Sequence, residues 1–201
     1  MKKRKSFRSR FEDNYTTVTV PADNKKGYVI RYVYYAPWYV WQISDSEFSR
    51  KKQLLAVLEV FSVLIFLVSV LLRTGLNSTP LVYVFTALAA CAQLMELSGT
   101  VDFLTAKPKT TQIRYEDIHR RLTFFPTVRG IMMLLATIAA LLTLLSGQVQ
   151  GEAWAVPGYA VCAALAWQVQ SLIRGIPVRI EQNDAMDKVV AMETADEQSS
   201  V

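Results

Sequence analysis

Three residues of this 201-residue chain stand where ionisable groups are costly. Glu59, Glu96 and Arg129 each sit inside a long apolar run. A charge at the middle of a bilayer costs about 2.5–3.5 kcal/mol, less near the interface, so such groups face a protein interior and take partners. Two chemistries fit two carboxyls and one guanidinium. One is a proton or cation site built on the carboxylates. The other is a structural ion pair in which Arg129 holds Glu96 or Glu59 and fixes how the helices dock. Gln93 and Gln168 fall at similar depth in neighbouring runs, and Gln170 follows two residues on. The candidate polar cluster is therefore Glu59, Gln93, Glu96, Arg129 and Gln168.

Little else in the chain points to catalysis. His119 is the single histidine and has no second ligand near it in sequence. Cys91 and Cys162 both fall in apolar runs and read as small packing residues, neither a disulfide framework nor a zinc site. There is no nucleophile elbow, phosphate-cradling glycine loop or paired metal-ligand helix. No cofactor, metal or enzymatic activity is expected. Asn77-Ser78-Thr79 matches a glycosylation acceptor, but its link is too short to present it well away from a membrane.

The elements that position the cluster are four apolar stretches, about 54–72, 81–100, 126–146 and 154–173. Each meets the length of about 20 residues that a bilayer core requires. Apolar residues make up 52% of the chain and charged residues 19%, which shifts the balance from a soluble domain towards lipid. Pro80 and Pro126 are expected at helix starts, where a missing N–H costs little. The links Arg73–Pro80 and Gly147–Glu152 are short, so the spans pair into two hairpins. The expected fold is an all-α integral membrane protein, a four-helix transmembrane bundle with a small cytoplasmic N-terminal β-hairpin.

Charge sets the expected orientation. Twelve Lys and Arg precede the first span, five lie in the loop 104–125, and Arg174 and Arg179 follow the last span. The two short links hold Arg73 and none. By the positive-inside rule both termini are cytoplasmic, in a cell membrane. Glu59 then lies roughly 8 Å past the cytoplasmic end of its span, at 1.5 Å per residue. Glu96 and Arg129 fall in the same inner-leaflet layer. Glu59, Ser62, Phe66, Ser69 and Arg73 share one helical face, expected to point into the bundle. Ala89, Ala90 and Ala92 offer a small-residue surface, and Ala136/Ala140 and Ala160/Ala164 have the small-xxx-small spacing of close helix contacts. Tyr83, Phe85, Phe124, Phe125, Trp154, Tyr159 and Trp167 are placed for interfacial aromatic belts.

Outside the membrane the chain divides into a segment 1–50, the spans 51–175 and a tail 176–201. Residues 1–14 are charged and expected to be disordered, and the acidic tail after Gln182 loose. Tyr15–Val20 and Tyr28–Tyr35 flank a turn and read as a hairpin. Thr110–Arg114 and Ile176–Glu181 are strand-like and could extend it. Tyr115–Phe125 reads as a helix along the membrane. Tyr32, Tyr34, Trp38, Tyr39 and Trp41 form an aromatic surface, either seated at lipid headgroups or docking a partner. The net charge of +5 rests largely on the basic start, which suits an anionic membrane better than nucleic acid. The functional expectation is a non-enzymatic accessory, scaffold or regulatory subunit working through a protein partner or as a homo-oligomer. The alternative is a small oligomeric transporter or channel using the inner-leaflet carboxylates.

Overall fold

The computed structural model describes residues 13–21, 25, 27–71, 74–147, 149 and 153–184. The expectations for the basic start, for Arg73 and for the acidic tail lie outside these residues. The chain is mostly helical, with two small sheets. Four helices are long and apolar enough to cross a membrane, with apolar windows of mean hydropathy 2.4, 1.6, 2.2 and 1.2. They are α1 (Asp45–Leu71), α2 (Pro80–Leu104), α3 (Gln112–Leu145) and α4 (Val156–Arg174).

The first three helices begin before the apolar stretches that announced them. The sequence Ser44-Asp45-Ser46-Glu47 starts α1 as a capping box would, with Ser44 Oγ accepting the Glu47 N–H at 3.2 Å. The helix thus begins nine residues before Leu54, among charged residues that composition assigns to water. Pro80 opens α2 after an extended Thr79, as expected. Pro126 does not open a helix. It lies inside α3, which runs unbroken through what the sequence divides into a surface helix and a span. A buried proline loosens the carbonyls one turn back, and a neighbouring helix can satisfy them. Here the Thr123 carbonyl accepts from Thr127 Oγ1 at 2.7 Å and from Gln170 Nε2 of α4 at 2.9 Å.

Two compact units account for the chain. The helical unit comprises Trp41–Pro108 and Tyr115–Pro177. Its apolar core gathers Phe66, Val82, Met133, Ala140, Tyr159 and Ala163. In α4 the close approach is made at Gly158, where an added Cβ would stand 2.1 Å from Ser69 Oγ and 3.0 Å from Ser69 Cβ. Ala136 and Ala140 are buried as the spacing implied. Ala160 and Ala164 are exposed, because the inward face of α4 runs through Tyr159, Cys162, Ala163 and Ala166 instead. Tyr159, expected at an interface, is fully buried and donates its hydroxyl to Asn77 Oδ1. Asn77 Nδ2 donates to the Ser69 carbonyl at 3.0 Å. The amide of the glycosylation-like triplet is thereby engaged at both ends. Cys162 is buried, but Cys91 is exposed on the outer face of α2 and is no packing residue.

A second core fills the other end of this unit. Trp41 stacks on Phe48 at 6.0 Å and meets Phe103 and Tyr115 at 5.5 and 5.3 Å.

The other unit comprises Met1–Val40, Lys109–Arg114 and Val178–Val201. Strands β1 (Tyr15–Pro21) and β2 (Tyr28–Tyr34) pair antiparallel, with Tyr15 opposite Tyr34 and Pro21 opposite Tyr28. The segments near 110 and 178 do not extend this hairpin. They form β4 (Lys109–Thr111) and β5 (Val178–Glu181), on either side of β3 (Trp38–Trp41). Trp38 pairs with Thr111 and Val40 with Lys109. Pro37 has no N–H to continue the β2 ladder, so the chain turns at Ala36–Pro37 and the aromatic run after it founds a new sheet. Tyr34 joins the parts of this unit. Its hydroxyl donates to the Pro37 carbonyl at 2.6 Å and accepts the Gln112 N–H at 2.9 Å. The Tyr34 carbonyl accepts from Asn183 Nδ2 at 2.7 Å.

Candidate functional site

Three helices of the helical unit, α1, α2 and α3, bring buried polar side chains into one hydrogen-bonded cluster. Ser62 lies one turn beyond Glu59 on α1, and both are buried. On α2, Gln93, Glu96 and Thr100 follow at steps of three and four, the spacing that stacks side chains on one face. All three are buried. Arg129 of α3 is fully buried and is among the largest such side chains.

Arg129 organises the cluster. Its Nη2 donates to Glu96 Oε1 at 3.0 Å, and its Nη1 donates to Ser62 Oγ. Ser62 Oγ also lies 3.3 Å from Gln93 Nε2, which donates to it. Thr100 Oγ1 donates to Glu59 Oε1 at 3.2 Å. A bidentate guanidinium–carboxylate fork would have used both oxygens of Glu96. Instead Glu96 Oε2 has no hydrogen-bond partner, and neither have Glu59 Oε2, Gln93 Oε1 and Arg129 Nε. Both carboxyls are thus half-satisfied. Such networks carry high energetic stakes, because the low local dielectric strengthens each bond and penalises each orphan.

Of the two partners open to Arg129, geometry selects Glu96. Gln168 does not join. It is exposed, because the neighbours Val169 and Ala166 take the inward positions of α4. The contribution of α4 comes from Gln170, whose Nε2 donates to the Thr123 carbonyl and to Thr127 Oγ1 beside Pro126. Ser62 and Thr100 complete the cluster. Ser62 was visible as a member of the Glu59 face, and Thr100 could have been found by stepping four residues from Glu96.

A groove of about 410 Å³ runs along the outer surface of α1 and α2, walled by Val60, Val63, Leu97 and Val101 with Glu59 and Thr100. A second, of about 310 Å³, lies between α1 and the start of α4, against Phe61, Ile65, Trp154 and Gly158.

The aromatic surface read from the sequence splits. Trp41 is 3% exposed and belongs to the aromatic core, so it offers nothing to a headgroup or a partner. Tyr34, Trp38 and Tyr39 are half-buried, with Tyr34 and Trp38 in edge contact at 4.7 Å. Tyr32 alone of the five is freely exposed, at 65%. It shares β2 with exposed Tyr28, Val29 and Ile30.

His119 is half-buried and stacks on Tyr115 at 5.5 Å. Among the described residues, no group of three or more His, Cys, Asp or Glu could hold a metal ion. Outside the polar layer the ion pairs are peripheral. Arg121 meets Asp102 at 2.8 Å, and Lys109 meets Glu181 at 2.9 Å. The hydrogen bond from Lys109 holds the Glu181 carboxyl below its ordinary range.

No protein family matches this chain, and no curated protein or solved structure is significantly similar to it.

Proposed function

We propose that this is a multi-pass membrane protein whose four helices each span the bilayer, with both termini in the cytoplasm. It acts without catalysis, as an accessory, scaffold or regulatory subunit bound to another protein. The topology rests on the Lys and Arg of residues 1–53, 104–125 and 174–179, set against two links nearly free of them. The observation that carries the partner role is the β1–β2 hairpin. Tyr28, Val29, Ile30 and Tyr32 expose 46%, 40%, 54% and 65% of their surface on it. Two-stranded hairpins are marginal alone, and clustered exposed apolar side chains mark interaction surfaces. A partner packed on β2 would cover these side chains.

A photo-crosslinking residue placed at Tyr28 and, separately, at Tyr32 tests this in intact membranes. Both positions should give an adduct with the same protein, and Tyr32→Glu should abolish the adduct formed from position 28. A chain that stays monomeric and uncrosslinked at both positions would remove the reading.

The surplus carboxyl beside Arg129 favours a second reading, a small oligomeric transporter or channel that works through Glu59 and Glu96. Four helices enclose little pathway, so copies of the chain would have to assemble. Proton-coupled flux in liposomes that disappears in Glu59→Gln supports it. Liposomes that carry no flux across a broad substrate panel count against it.

A further inference from the structure

Charge and hydrogen bonds in the polar layer fail to balance in the same way. Glu59 is 2% exposed, and Glu96 and Arg129 are 0% exposed. With both carboxyls ionised, two negative charges face one guanidinium. Within the layer, Arg129 of α3 faces Glu96 of α2, Glu59 of α1 faces Thr100 of α2, and Cys162 lies on the buried face of α4. Further along the helices, Arg121 is paired with Asp102, and Lys52 donates to the Ala106 carbonyl at 2.6 Å. Arg129 is therefore the counter-charge of the layer.

The hydrogen-bond deficit falls on the carboxyls too. Each has one oxygen with a donor, and the Oε2 atom of each has none. Gln93 of α2 meets Ser62 of α1 and Thr100 of α2 meets Glu59, so Glu96, which lies between Gln93 and Thr100 on the same face, stands beside Glu59. A single proton removes both imbalances. Placed on either carboxyl, it cancels the surplus charge and turns one orphaned acceptor into a donor. Two carboxyls that share a site cannot both ionise cheaply, and their protons belong to the pair.

We propose that Glu59 and Glu96 share one proton, which makes this layer a proton-binding site enclosed by the helices. A hard metal cation fits less well. Calcium takes six to eight oxygens and magnesium a near-ideal octahedron, whereas the layer offers three unpartnered oxygens, on Glu59, Glu96 and Gln93. Glu59 also lines the 410 Å³ groove, so it is the member of the pair nearer the outer surface of the helices. The proposal depends on neither functional reading above, since a proton held for structure and a proton that moves give the same resting state.

Infrared spectroscopy of the full chain in vesicles of ether-linked lipid, which has no ester carbonyl, tests it near neutral pH. Wild-type protein should show the carbonyl band of a protonated carboxylic acid, with the amplitude of one group, and the band should shift on ¹³C-glutamate labelling. Glu59→Gln and Glu96→Gln should each abolish it, because the remaining carboxylate then pairs with Arg129. Glu47→Gln, at the exposed start of α1, should leave it. Arg129→Gln should raise it to the amplitude of two groups. A wild-type spectrum without the band overturns the proposal, as does a band insensitive to glutamate labelling. So does a band that survives in either glutamine variant. The labelling experiment needs no substitution and can overturn the proposal even where a variant fails to fold.

Discussion

Two levels of the same four helices solve the docking problem in opposite ways. At the level of Gly158 and Tyr159, contact is made by shape. Phe66, Val82, Met133 and Ala140 interlock, and Gly158 lets Ser69 approach closely. At the level of Arg129, contact is made by charge, through Glu96, Ser62, Gln93, Glu59 and Thr100. In lipid the apolar surfaces of helices have little hydrophobic reason to associate, so close packing and polar contacts must provide it. The apolar level is limited by volume and the polar level by pairing, because each group left unpaired there carries its own penalty.

The comparison can be broken most directly at Arg129. Arg129→Leu leaves Glu59 and Glu96 buried without their counter-charge. Removing one partner of a buried pair costs about 3–5 kcal/mol, so resistance to denaturation in mixed micelles should collapse and the protein level in membranes should fall. An unchanged level and unchanged assembly would mean that charge does not hold this layer. Next comes Gly158→Val, which forces side-chain atoms into Ser69 of α1. Overpacking of this kind costs about 1–3 kcal/mol. Ser69→Gly should restore part of the loss, and a failure to do so would show that the two helices do not meet there. Tyr159→Phe deletes the hydrogen bond to Asn77 and should cost about 1 kcal/mol in the same assay. Smallest of all, Gln168→Leu should leave stability within about 0.5 kcal/mol, as surface changes usually do. A large loss there would return Gln168 to the polar layer.

Much of this architecture is legible in the residue order. The four apolar stretches locate four helices, and the steps Glu59, Ser62, Phe66 and Ser69 name a face that is indeed buried. The hairpin follows from two β-rich runs around a turn. Other features were hidden for identifiable reasons. The apolar stretches begin later than α1, α2 and α3 because hydropathy marks where a helix can meet lipid and is silent on where its hydrogen bonds begin. The capping box at Ser44 was the better guide to the start of α1. Pro126 misled because a proline inside a helix looks, in sequence, like one at its start. What tells them apart is the donor that Gln170 brings from another helix.

Sequence alone singled out Glu59, Glu96 and Arg129 as residues to be hidden, because each lies inside a run long and apolar enough to cross a membrane. It could not choose between Glu59 and Glu96 as the partner of Arg129, nor between Gln168 and Gln170 on α4. Those choices depend on the rotation of each helix about its axis, which packing sets. One residue of difference turns a side chain by about 100°. That rotation placed Glu96 against the guanidinium and Glu59 against Thr100, and left a second carboxyl oxygen on each without a donor.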